Sequence, residues 1–187
     1  VWINGSLAAV NRNGYMGFSV DLKPWISYEH ENIIRIDVDN SKQPNSRWYS
    51  GSGIYRDVNL WTGKDVYISH DKLRITTLSV NDDMAVCAQL KNIIGHGLEA
   101  ECLIEIKKDG QKTASDTQRV VFRSEQMQTV RVQIPIEHPK KWSPKQPALY
   151  ECHITTKFDD KICDEAVSNF GIRVLALDPV RGLQING

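Results

Sequence analysis

The chain has 187 residues, enough for one large domain or two small ones, and is 41% hydrophobic and 25% charged, as ordinary globular proteins are. Lys plus Arg is 23 and Asp plus Glu is 23, with 6 of each sign in residues 1–63 and 17 of each in 64–187. That local balance leaves no dominant basic face for nucleic acid, and no apolar run approaches the roughly 18 residues of a membrane span.

Taken in order, the pattern is mostly period two. The chain opens Val1-Trp2-Ile3-Asn4-Gly5, without Met and inside a strand, and a piece of a longer protein is expected. Ile34, Ile36 and Val38 alternate with Arg35, Asp37 and Asp39, which predicts a half-buried strand. A boundary falls near Gly63, because 9 of the 15 aromatics lie in residues 1–63. Beyond it, strands are predicted at 66–69, 72–80, 84–92, 98–107, 118–123, 128–134, 149–158 and 161–170. Leu98, Cys102 and Ile106 would suit a helix, but Leu98, Ala100, Cys102, Ile104 and Ile106 alternate without a miss, so a strand is expected. Turn signals separate the runs: Asn4-Gly5, Asn13-Gly14, Asp82-Asp83, Gly95-His96-Gly97, Asp109-Gly110 and Asp159-Asp160. Eight strands over about 107 residues are the size of an immunoglobulin-like sandwich.

Single residues refine this reading. Tyr150, two before Cys152 at a strand start, stands where a tyrosine corner would sit. Four of the seven prolines fall in 135–147, predicting a stiff, irregular crossover with Trp142 as a packing anchor. The cysteines at 87, 102, 152 and 163 form no C-x-x-C pair, so no zinc site is expected. If Val86, Ala88 and Leu90 face inward, Cys87 faces outward and cannot bridge to Cys152. Free thiols are expected. They fit a cytoplasmic protein, and a periplasmic one with buried thiols equally well.

Catalytic patterns are scarce. There is no H-E-x-x-H, phosphate loop or G-x-S-x-G elbow. Ser50-Gly51-Ser52-Gly53 reads as a tight loop, and His153 as a residue on a strand face. Asp82-Asp83, Asp159-Asp160 and Asp164-Glu165 are adjacent pairs. Neighbours on a strand point to opposite faces, and turn Asp residues bond the local backbone, so none is expected to work as an acid/base dyad. The informative stretch is Asp39 to Arg56, a long loop dense in amide, guanidinium and aromatic groups. Such mixtures suit sugars: aromatic faces stack on C–H surfaces, and Asn and Arg donate to hydroxyls.

That loop, "VDNSKQPNSRWYSGSGIYRDVNLW", resembles glycoside hydrolase family 2, the β-galactosidase type. "VWING" at 1–5, "GYMGFSVDLKPWI" at 14–26, "ENIIRIDVDN" at 31–40, "WSPKQPALYECH" at 142–153, "FGIR" at 170–173 and "GLQING" at 182–187 agree with it in order. The resemblance implies an all-β chain: a partial jelly-roll, galactose-binding-like segment at 1–63, an immunoglobulin-like β-sandwich at 64–173, and a connector at 174–187. The connector would lead into a missing catalytic (β/α)8 barrel. Family members are retaining glycosidases with two catalytic glutamates. Neither glutamate maps here, so the chain is expected to hold no catalytic residue, metal or cofactor and to be inactive alone. In the family this loop borders the innermost sugar subsite. The matching positions are Asn45, Ser46, Arg47 and Trp48, and Asn45, Arg47 and Trp48 are the candidate substrate-binding residues in the intact enzyme. The partners implied are a β-galactoside-like carbohydrate and the barrel, with neither nucleic acid nor membrane. Galactosidases, glucuronidases and mannosidases share the architecture, and the Tyr- and Ser-rich loop leans toward the first.

Residues 1–63 would supply only some strands of a jelly roll, leaving Ile34, Ile36 and Val38 without cover. Oligomerisation, strand exchange or partial disorder is expected there. The alternative function is a stand-alone carbohydrate-binding or adhesion sandwich. Asn186-Gly187 favours the accessory reading, because by resemblance this motif opens a barrel.

Overall fold

The computed structural model describes residues 1–42, 51–78, 84–124 and 126–187. The chain is all-β. Among the described residues the only helical element is one 3-10 turn at His70–Lys72. It divides into two units, Val1–Leu60 and Trp61–Gly187.

Among its described residues the first unit contains one small antiparallel sheet. Strand β1 (Trp2–Ile3) lies between β2 (Ser6–Leu7) and β3 (Ile34–Arg35). Asn4 and Gly5, at φ +50° and +82°, form the tight turn between β1 and β2. The strand expected through Val38 is therefore shorter than its alternation suggested. Among the described residues only Ile34 and Arg35 of this run find strand partners, in Ile3 and Trp2. Ile34, Ile36 and Val38 are 50%, 37% and 48% exposed, so the apolar face expected to lack cover does lack it here.

In the second unit two sheets face each other. One holds β6 (Met84–Asn92), flanked by β9 (Met127–Ile134) on one side. On its other side β4 (Val66–Ile68) and β5 (Arg74–Thr77) follow end to end. The other sheet runs β11-β10-β7-β8, with β7 at Leu98–Lys108, β8 at Gln111–Phe122, β10 at Tyr150–Phe158 and β11 at Lys161–Phe170. The chain thus passes repeatedly between the sheets, which is the strand distribution of an immunoglobulin-like sandwich. A separate hairpin, β12 (Leu175–Asp178) and β13 (Gly182–Ile185), follows.

Alternation builds the core. Met84, Val86, Ala88 and Leu90 of β6 are buried, and so are Leu98, Ala100, Cys102, Ile104 and Ile106 of β7. Val130, Val132 and Ile134 extend the first layer, while Cys152 and Ile154 extend the second. The segment with both helical and strand spacing is a strand, because its alternate positions fill this interior. Truncating one central residue such as Ile104 would cost about 2–5 kcal/mol.

Polar bonds fix how the layers sit. Thr156, fully buried on β10, donates from Oγ1 to Val66 O of β4 in the opposite sheet at 2.8 Å. Ile68 N of β4 donates to Asp164 Oδ2 of β11 at 2.8 Å. Asn92, also buried, donates from Nδ2 to His96 O and Ser124 O at 2.8 and 3.0 Å, and its Oδ1 accepts from Ile94 N at 2.9 Å. Tyr150 forms the tyrosine corner, its hydroxyl accepting from Lys140 N at 2.8 Å.

Several expectations shift at element ends. The strand expected over 72–80 begins as the 3-10 turn and pairs only over Arg74–Thr77 among the described residues. The strand expected at 118–123 starts instead at Gln111, and its first half is polar. Pairing with β7 across the Asp109-Gly110 turn extends it. Asp159 and Asp160 sit at φ +48° and +58° in a two-residue turn, while Asp82 and Asp83 lie outside the described residues. Trp142 is the anchor expected of it. Its amide donates to Ile172 O at 2.7 Å, and a side chain at Gly171 would place a Cβ 2.8 Å from its own Cβ.

Two outcomes follow. Thr156→Val keeps the shape but leaves a buried carbonyl unpaired, so the urea unfolding midpoint should fall by the equivalent of about 1–3 kcal/mol. All four cysteines are free, and burial pushes the Cys102 and Cys152 thiols up to about 12. At about pH 8, Cys87, half-buried on the outer face, should alkylate first, with Cys102 and Cys152 reacting only after unfolding.

Candidate functional site

The candidate loop starts where β3 has ended. Asp39 folds back on the chain: its Oδ1 accepts from Ser41 N at 2.9 Å. The Ser41 hydroxyl and amide hold this carboxyl below its usual range. It therefore stays ionised, able to accept from a hydroxyl but unsuited to donate a proton near neutrality. Across the loop, Asn40 Nδ2 reaches Gly51 O at 3.4 Å and brings the two ends together. Gly53 sits at φ +120°, a conformation open essentially to glycine alone.

Two residues on, Tyr55 is tied down. Its hydroxyl donates to Gly14 O at 3.2 Å, and the Arg56 guanidinium lies 5.2 Å from its ring centre. The Gly14 turn is shaped by amides. Asn11 Nδ2 donates to Asn13 O at 2.9 Å, and Tyr15 N donates to Asn13 Oδ1 at 2.9 Å. Tyr15 and Tyr55 both leave more than half of their surface exposed. The structure thus joins the loop's end to a second turn, giving exposed aromatic faces beside amide and guanidinium donors. Such a surface can stack on a sugar and bond its hydroxyls. Asn45, Ser46, Arg47 and Trp48, the positions singled out by sequence, lie outside the described residues. The tether to Gly14 is a contact that the sequence pattern alone does not disclose. Its one signal was the turn chemistry of Asn11-Arg12-Asn13-Gly14, which says nothing of a partner 41 residues away.

Other constellations are weaker. Trp61 stacks on His70 at 5.1 Å, and His70 Nε2 stands 4.0 Å from Asp164 Oδ2, beyond hydrogen-bond reach. Asp164 is already taken by Ile68 N. His153 bonds Glu151 at 2.8 Å on the outer sheet face, two residues apart on one strand, as a face residue would. A cleft of about 300 Å³ gathers Glu99, Glu101, Asp159 and Asp160. There Glu99 pairs with Arg119 at 3.4 Å and Glu101 with Lys157 at 3.8 Å. A retaining glycosidase needs two carboxyls about 5 Å apart, one of them holding its proton. Both glutamates of this cleft are instead spent on ion pairs with their neighbours. Among the described residues no group of three or more His, Cys, Asp or Glu is placed to hold a metal ion.

Comparison with known proteins gives the family. The profile described as "Glycosyl hydrolases family 2" matches residues 66–173, the sandwich. A beta-galactosidase from Bacteroides ovatus is 30% identical over 206 residues, covering 100% of this chain and 22% of that protein. A beta-glucuronidase from Formosa agariphila is 26% identical, again over 100% of this chain and 22% of its own length. A crystal structure of a glycosyl hydrolase family 2 member from Bacteroides cellulosilyticus superposes with a TM-score of 0.86 at 28% identity, over 100% of this chain and 26% of that one. The chain therefore spans about a fifth of the length of the curated relatives it matches. With the profile covering more than half of its residues, the chain belongs to glycosyl hydrolases family 2.

Proposed function

We propose that these 187 residues are a non-catalytic accessory region of a retaining β-glycosidase of the β-galactosidase type. One observation carries this reading: a relative named for β-galactosidase activity matches the whole chain, yet the match takes up only 22% of that relative. The carboxyl pair that would cleave the glycosidic bond then belongs to the catalytic barrel, outside these residues. Two features support this division. The acidic cleft residues Glu99 and Glu101 are committed to cations. Asp39, the carboxylate of the candidate loop, is held in its ionised form.

In this reading the sandwich is the scaffold, residues 174–187 form the connector, and the loop from Asp39 to Arg56 borders the innermost sugar subsite. The exposed faces of Tyr15 and Tyr55, the ionised Asp39 and the guanidinium of Arg56 supply the chemistry a sugar rim needs. Asn45 and Arg47 add donors for hydroxyls, and Trp48 adds a stacking face. The substrate is a β-galactoside-like carbohydrate. A uronic-acid sugar is the second reading, favoured by the relative named beta-glucuronidase. The exposed Ile34 and Val38 suit a partner that covers an apolar face, either the rest of the enzyme or a second copy of the chain.

The test is Arg47→Ala in the intact enzyme. A lost bond to a substrate hydroxyl should lower kcat/KM on a β-galactoside by about fivefold to a hundredfold. An unchanged kcat/KM would remove Arg47 from the subsite.

A further inference from the structure

The tripeptide Ile-Asn-Gly occurs twice, at 3–5 and at 185–187. The two copies share one geometry. Asn4 and Asn186 sit at φ +50° and +61°, each followed by a glycine at +82° or +79°. Each asparagine grips a single residue of the facing chain from both sides. Asn4 N donates to Ile33 O at 2.9 Å, and Ile33 N donates to Asn4 Oδ1 at 2.9 Å. Asn186 N donates to Val174 O at 2.8 Å, and Val174 N donates to Asn186 Oδ1 at 3.0 Å. In each copy Nδ2 then donates to a tryptophan carbonyl, that of Trp25 at 2.9 Å or of Trp142 at 3.0 Å.

The residue type follows from these demands. The backbone amide supplies only the first bond. The second needs an acceptor and the third a donor, both on one short arm, at a position where φ is positive. Asn meets all of these. Asp lacks the donor, and Gln carries the same amide on a longer arm.

At Asn186 the bonds meet a fixed point. Trp142 is held by its amide bond to Ile172 O, by the close approach of Gly171, and by Arg173, whose guanidinium lies 5.1 Å from its ring centre. Asn186 thereby joins the proline-rich crossover, the 171–174 link and the hairpin β12–β13. That hairpin needs outside support. It has two four-residue strands, and Leu175, Leu177 and Leu183 are exposed on it. Two-stranded hairpins of this size are marginal alone.

We propose that Asn186 is a strand-end lock, a positioning residue whose side chain holds β12–β13 against the crossover at Trp142, and that Asn4 is the same device acting between β1 and Ile33. The decisive variant in the full chain is Asn186→Gly. Glycine accepts the positive φ, so the turn is kept and only the side-chain bonds are removed. By amide hydrogen exchange, Val174 and the amides of β12 and β13 should exchange about tenfold or more faster, while core amides of Ile104 and Ile154 stay unchanged. Asn186→Asp keeps the acceptor for Val174 and loses the donor to Trp142, so the hairpin amides should accelerate while Val174 stays protected. Asn4→Gly should accelerate exchange at Ile33. Unchanged hairpin protection in Asn186→Gly or Asn186→Asp would overturn the proposal. So would acceleration spread equally to Ile104 and Ile154, or an unaffected Ile33 in Asn4→Gly.

Discussion

The sandwich depends on one constraint: every second side chain of β6, β7 and β10 must meet its counterparts across the gap between two sheets. Val86, Ala88 and Leu90 on one side and Cys102, Ile104 and Ile154 on the other are all but fully buried. At about 25 cal/mol per Å² of apolar surface removed from water, this layer is the dominant favourable term in the unit. It also sets register. A slip of one residue would turn Glu101 and Glu105 inward and Cys102 and Ile104 outward. The buried polar groups are consistent with so strict an arrangement. Thr156 and Asn92 are tolerated because their side-chain polar atoms are bonded, and they add direction to a force that has none of its own.

That constraint explains which parts of the fold were legible in the sequence. Alternation from Met84 to Asn92 and from Leu98 to Lys108 reports directly on a two-layer core, so those strands were read with little error. The outward placement of Cys87 follows from the same parity, whereas the corner at Tyr150 was legible from its position two residues before Cys152 at a strand start. Alternation is silent where a strand is polar on both faces. The first half of β8 is such a case, since its pairing is imposed by β7 and a tight turn. It also misleads where the apolar residues have no layer to face, as with Ile36 and Val38, which alternate like a strand and pair with nothing in the small sheet. The candidate site was legible as chemistry but not as geometry. The loop's amides and aromatics could be named from sequence, whereas the tether of Tyr55 to Gly14 needs a fold to be seen.

The surface chemistry and the family relationship fit together. The sandwich matched by the family profile has a buried core, and its outer-face carboxylates Glu99, Glu101 and Glu105 are engaged with Arg and Lys. The groups suited to a sugar lie in the other unit, around residues 11–15 and 39–56. Under the proposed function, scaffold and rim are then separate along the chain. This is an economical division if the bond-breaking carboxyls come from a third region, because rim loops can then vary the sugar without disturbing the core.

Under the proposed function these residues shape and support a glycosidase site without performing the chemistry. This is tested most directly by hydrolysis of a chromogenic β-galactoside, measured side by side for the 187-residue chain and for the intact enzyme. Turnover by the intact enzyme alone is the predicted result. Turnover by the isolated chain would contradict the account and place a working carboxyl pair within these residues.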